Sequence, residues 1–198
     1  MLTRLCKSAF DEMVMKSALR NAAVCGFVVF ATLATGVVHA TQTPAGDPLQ
    51  PLAFLIGRWE GTSDGQPGEA RVRREYTRIL NSRFIRVENQ SVYQPQEKNP
   101  KGETHEDFGV FSFDTSRRRA VLRQFHVEGF VNQYVADLAS RPATFEFTSE
   151  AIENIPPGWR ARETYVVLGP DEFDEVFELA GPGKPFERYS RAHLKRVH

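Results

Sequence analysis

From Gly57 to the C-terminus, apolar and polar residues alternate with a period of two, and helical periodicity is almost absent. Short runs rich in Val, Ile, Phe, Tyr and Thr are separated by turn residues, which predicts about ten strands. They span Gly57–Ser63, Glu69–Leu80, Phe84–Tyr93, Glu103–Asp114, Arg119–Val127, Phe130–Leu138, Ala143–Ser149, Arg160–Leu168, Glu172–Ala180 and Phe186–Lys195. Asn81-Ser82 and Asp114-Thr115-Ser116 favour tight turns through side-chain to backbone hydrogen bonds. Glu128-Gly129, Gly169-Pro170-Asp171 and Gly181-Pro182-Gly183 punctuate later hairpins, and two longer loops run over Gln94–Gly102 and Ile152–Gly158. His105, Asp107, Gly109, Phe111 and Phe113 share one strand face; Phe173, Glu175, Phe177 and Leu179 share another.

Several of these faces mix polar and apolar residues, which suits a barrel with a partly open interior better than a sandwich with a dry core. Strands of similar length joined by hairpins predict an antiparallel up-and-down meander, so the fold class is an all-β barrel. Leu52–Ile56 reads as one helical turn that plugs the core, after a flexible lead-in over residues 41–51 rich in Pro, Thr, Gly and Gln. The domain is expected to span residues 52–197.

The first forty residues differ from the rest. Residues 21–38 carry no charge, Lys16 and Arg20 precede them, and Val38-His39-Ala40 offers a small-residue cleavage site. This is the layout of a secretory signal peptide over residues 1–40, cleaved after Ala40, and it predicts a secreted or periplasmic protein. The run is at the lower length limit for a membrane span and is diluted by Gly, Thr and Ala, so no stable span is expected after cleavage. Met15 makes a better start than Met1, which marks residues 1–14 as an over-extension of the reading frame. Cys6 and Cys25 both precede Ala40, so the mature domain must rely on its core without disulfides. The formal net charge is zero, and no basic excess points to nucleic acid. Seventeen Arg against four Lys follow Ala40; long Arg stems can cover the outside of a thin-walled barrel.

Candidate chemistry is sparse. His105, His126, His193 and His198 are the histidines beyond Ala40, without HExxH or His-x-His spacing, which argues against a zinc site. His105 heads a strand beside Glu106 and Asp107 and reads as a loop-end surface residue. His126 is either a polar wall residue or a cavity-lining donor or iron ligand. Arg123, Gln124, Asn132, Gln133 and Tyr134 lie on two adjacent strands and either line a cavity or face water. Trp59 and Trp159 read as packing residues, with Trp59 also a candidate ligand contact. Arg117-Arg118-Arg119 reads as a solvated turn, and no spacing among the carboxylates selects a catalytic pair. There is no nucleophile elbow and no P-loop. Asn89-Gln90-Ser91 fits a glycosylation acceptor.

Gly57-Arg58-Trp59-Glu60-Gly61 after a short helical turn resembles the opening of the calycin barrels, the lipocalins and fatty-acid-binding proteins. Leu52 to Gly61, about ten strands, and Gly183-Lys184-Pro185-Phe186 before the last strand together resemble the nitrobindin-like haem-binding barrels and related bacterial lipocalin-like barrels. The resemblance implies haem as cofactor, held by a histidine on the final strand. Here the family's pattern puts Tyr189 at that position, with His193 four residues on and, in a regular strand, on the same face. Tyrosine can ligate ferric haem, so Tyr189 or His193 is the implied iron ligand. Three functions follow: a barrel binding haem or another small apolar molecule, a haem enzyme acting on reactive nitrogen species as a peroxynitrite isomerase, or a ligand-free interaction barrel.

Overall fold

The computed structural model describes residues 46–139 and 143–198, so the export signal read in the first forty residues lies outside the described part. Alternation along the chain becomes ten strands: β1 Gly57–Gly65, β2 Ala70–Ile79, β3 Phe84–Tyr93, β4 Glu103–Asp114, β5 Arg119–His126, β6 Val131–Ala136, β7 Thr144–Glu153, β8 Arg160–Gly169, β9 Glu172–Ala180 and β10 Glu187–Val197. Each pairs antiparallel with its chain neighbours, and β1 pairs with β10 to close an up-and-down barrel. Strand β7 runs past the expected end at Ser149, because a register shift at Gln133/Tyr134 lets Ala151, Ile152 and Glu153 pair with β6.

One end of the barrel is sealed. The 3₁₀ helix Gln50–Leu55 packs Leu52 and Leu55 into the core, as the expected plug. Trp59 donates from Nε1 to the Leu55 carbonyl at 2.6 Å and meets the Phe173 ring edge-on at 4.7 Å. Arg196 straps the plug from outside: its guanidinium lies 4.2 Å above the Trp59 ring and donates to the carbonyls of Ile56 and Phe54. Gly57 enters β1 at φ 124°, a conformation L side chains rarely adopt. At Gly61 a Cβ would stand 1.8 Å from the His193 carbonyl oxygen, so the closing seam between β1 and β10 needs glycine there.

Above the plug the barrel is filled. Tyr76, Phe111, Tyr134, Phe147, Tyr165 and Phe173 are all but completely buried and pack largely edge to face. The interior is therefore solid through its middle, not a through-cavity. The other end, the mouth, is where β1, β3, β5, β7 and β9 finish, and no helix plugs it among the described residues.

Candidate functional site

Between the aromatic middle and the open mouth lies a belt of buried polar side chains on the inward-facing positions of the strands. Arg74 on β2 makes a two-pronged ion pair with Glu175 on β9 (2.9 and 3.2 Å) and also donates to the Gln90 carbonyl. Burial opposes the charge on Arg74, but Glu175 more than reverses this and holds the guanidinium firmly protonated. Glu163 on β8 has no such cation of its own. Burial and the neighbouring Glu175 push its carboxyl up to about 8, while the Tyr165 hydroxyl donates to it. Glu163 thus carries a proton in the folded barrel that the unfolded chain gives up above about pH 4.5. Its contribution to stability is complete in acid and is lost as pH rises toward 8. Burial likewise raises the hydroxyls of Tyr76, Tyr134 and Tyr165 well above the ordinary tyrosine range.

Nearer the mouth, cross-strand register brings three strands together. Asn89 on β3 pairs with Asp107 on β4, and Asp107 pairs with His126 on β5. Asn89 donates to Asp107 Oδ1 at 2.6 Å, and Gln124 reaches the same oxygen at 3.4 Å. His105 shares a hydrogen bond of 2.8 Å between Nδ1 and Glu128, and its Nε2 lies 3.7 Å from Asp107 Oδ2. The carboxylates of Asp107 and Glu128 raise the His105 imidazole to about 9. Burial opposes the negative charge on Asp107, yet His105, Arg74 and Asn89 together hold its carboxyl below the usual range. Burial lowers His126, which stacks on Phe130 at 4.0 Å. Asn132 bridges inward from His126 Nε2 (3.1 Å) to the Tyr134 hydroxyl (2.7 Å). Buried Asn89 Oδ1, Gln124 Oε1, Asn132 Oδ1 and His126 Nδ1 have no hydrogen-bond partner.

The opposite wall of the mouth is apolar. Phe177 and Leu179 of β9 and Ile152 of β7 are partly buried against the core. Tyr189 on β10 meets Phe177 edge-on at 5.8 Å. Burial raises its hydroxyl, and the charges of Glu103 and Glu128 raise it further.

The residues proposed from sequence divide sharply. Tyr189, His126, Asn132 and Tyr134 face the interior or its mouth. His193 does not. A register shift between Arg188 and Ser190 breaks the regular alternation of β10, so His193 and Tyr189 do not share a face. His193 points outward, 2.8 Å from both Asp174 and Glu172, and cannot reach an interior iron. Arg123 is also corrected: it is exposed and bonds to Gln133 on the outer wall, which strand parity separates from Gln124 and Asn132. Trp59 belongs to the sealed end, far along β1 from the mouth. His105, read as a surface residue, is instead part of the inward cluster. A concavity of about 610 Å³ runs across β1–β5, with the exposed cross-strand pair Phe108 and Phe125 in its lining beside Arg74, Asn89, Asp107 and His126.

The closed ten-stranded antiparallel barrel is a nitrobindin-like fold. The chain belongs to the THAP4-like haem-binding β-barrel domain family, whose profile matches residues 48–196. The crystal structure of Rv2717c from M. tuberculosis shares the fold, with a TM-score of 0.58 and 19% identity over 76% of this chain and 98% of that one. Two other barrels superpose more loosely: EF1p2_mFAP2b bound to DFHBI (TM-score 0.40, 10% identity, 74% of this chain and 97% of that one) and the redesigned barrel b11L5F_LGL (0.38, 10%, 73% and 93%). No curated protein matches the chain in sequence.

Proposed function

We propose that this barrel binds haem at its open mouth, with Tyr189 on β10 as the iron ligand. The observation that carries the reading is the asymmetry of the barrel. Its base and middle are packed solid, while the mouth keeps half-buried Phe130, Ile152, Phe177, Leu179 and Tyr189 facing buried polar atoms without partners. A flat, largely apolar ligand with a polar centre matches such a lining. Bound haem would supply a ferric iron able to take small oxidised-nitrogen ligands. The chain's own part is to cover the ring with Phe177 and its neighbours, and to present His126 and Asn132 from the opposite wall.

Titration of the full-length protein with haemin tests this. The expected result is a saturable, shifted Soret band at one equivalent, lost or displaced in Tyr189→Phe. Retention of the band in Tyr189→Phe with loss in His126→Ala would move the ligand to the other wall, and a plain sum of free haemin and protein would remove haem altogether. Turnover of reactive nitrogen species by the haem-loaded barrel is a second reading, with the half-buried His126 imidazole as the group able to donate to such a ligand. Peroxynitrite decay unaltered by the haem-loaded protein would sink it.

We also propose that the protein is exported, on the apolar run and the Val38-His39-Ala40 site that precede the domain. Among the described residues no helix is long and apolar enough to cross a membrane. The mass of the chain recovered from the producing cells should correspond to a start at Thr41; an intact N-terminus there refutes cleavage.

A further inference from the structure

At the mouth, three ligand-type atoms are left over by the hydrogen bonds around them. His105 commits Nδ1 to Glu128 and turns Nε2 toward Asp107. Asp107 commits Oδ1 to Asn89 and Gln124 and turns Oδ2 toward His105. His126, opposite Asp107 in the β4–β5 ladder, has a buried Nδ1 with no partner at all. One ligand atom from each of the three side chains lies within 4.8 Å of the other two.

We infer that His105, Asp107 and His126 form a binding site for a divalent transition-metal ion of the zinc class. An ion pair between His105 and Asp107 accounts for those two residues but leaves the buried His126 nitrogen desolvated without a partner. A metal ion uses all three. Two imidazoles and one carboxylate are the donor set zinc takes when a further position stays open, and here the open side is the mouth. Metal–donor lengths of about 2.0–2.2 Å require the three atoms to draw together by roughly 1 Å.

The surroundings match what holds metal ligands in place. Imidazole ligands donate their second N–H to a carboxylate or carbonyl, and coordinating carboxylates are hydrogen-bonded in turn. Glu128 does this for His105, and Asn89 and Gln124 do it for Asp107. Asn132 is the positioning residue for His126. With its amide turned over, its oxygen accepts from both His126 Nε2–H and the Tyr134 hydroxyl, which leaves the His126 Nδ1 lone pair for the metal. Tyr189, the iron ligand proposed above, is not part of this cluster, although His126 borders both sites, so the metal is tested on haem-free protein.

The test is titration of the full-length, chelator-stripped, haem-free protein with Co²⁺ and then Zn²⁺. The expected result is one Co²⁺ per chain with visible bands of nitrogen–oxygen ligation, displaced by Zn²⁺ in calorimetry. Thiolate ligation by Cys6 or Cys25 would instead absorb strongly in the near ultraviolet, and that signal alone overturns the assignment. Asp107→Asn and His126→Ala should weaken Zn²⁺ binding more than 100-fold, and Glu128→Gln about 10-fold. Unchanged affinity in folded Asp107→Asn and His126→Ala overturns the site. So does the lack of a wild-type Co²⁺ spectrum, which needs no variant to fold. Failure of haemin to bind while Co²⁺ still does removes the haem reading alone.

Discussion

Arg74→Met is expected to destabilise the barrel by about 3–5 kcal/mol at pH 8, measured by urea unfolding. Arg74 and Glu175 are paired deep inside the wall, with side chains 7% and 11% exposed. Methionine fills the volume but leaves Glu175 without its counter-ion, and breaking such a pair from one side costs far more than the pair itself contributes. Glu163 sharpens the result. In the wild type the folded barrel retains a proton on this carboxyl up to about pH 8, so stability declines as pH rises from about 4.5 through that value. Arg74 is among the groups that restrain this rise, so its removal raises the Glu163 carboxyl further. The variant's deficit should therefore be smallest near pH 5, where Glu163 keeps its proton, and largest above pH 8, where Glu163 loses it. A deficit that is flat with pH would mean that Arg74 acts through packing rather than charge. Replacing Arg74 and Glu175 together with apolar residues should recover much of the loss, because no uncompensated charge then remains.

Trp59→Ala is expected to cost about 3–5 kcal/mol. The indole is 1% exposed, closes the base against Phe173, and is covered by Arg196. Truncation opens a void beneath the 3₁₀ helix and releases the Arg196 strap from its ring. Trp59→Phe separates packing from polarity. It keeps an aromatic ring but leaves the Leu55 carbonyl without its donor, a smaller loss of about 1–2 kcal/mol. Both variants sit at the end of the barrel opposite the mouth. Haemin binding per folded molecule should stay at the wild-type level, while a parallel loss of binding would show that plug and mouth are coupled. Unfolding curves provide the stabilities, and Trp159, 42% exposed, remains as a fluorescence control.

The barrel itself was legible in the chain because each wall strand has one face in the core, and period-two alternation survives in almost all of them. Phe173, Glu175 and Phe177 read as one face and are one face. Parity could also have separated Arg123 and Gln133 from Gln124 and Asn132, since Leu122 and Tyr134 mark the inner face on each strand. The bulge at Tyr189 was not legible. Glu187-Arg188-Tyr189-Ser190 has no glycine or proline to announce it, and a one-residue shift sends every later side chain to the other face. That is why His193 looked like an iron ligand and is an outer-wall residue. The mouth cluster was hidden for a different reason. His105, Asp107 and His126 meet through the pairing of β4 with β5, and such a register is a property of two strands that no single stretch of sequence carries. In the chain, His105 beside Glu106 and Asp107 looks like a charged strand end; in the barrel, alternation turns Glu106 outward and the other two inward.

The seam between β1 and β10 has a consequence for how this chain comes to be folded. Arg58 pairs with Val197, so the first strand of the barrel waits for the last before its hydrogen bonds are complete. Contacts so distant in sequence have to be closed against chain entropy before they stabilise anything, and they slow folding. Until β10 is available, β1 and its neighbours can form only an unclosed sheet with two bare edges. A chain in that state is exposed to strand-to-strand association, and it loses that vulnerability in one step when the ring shuts.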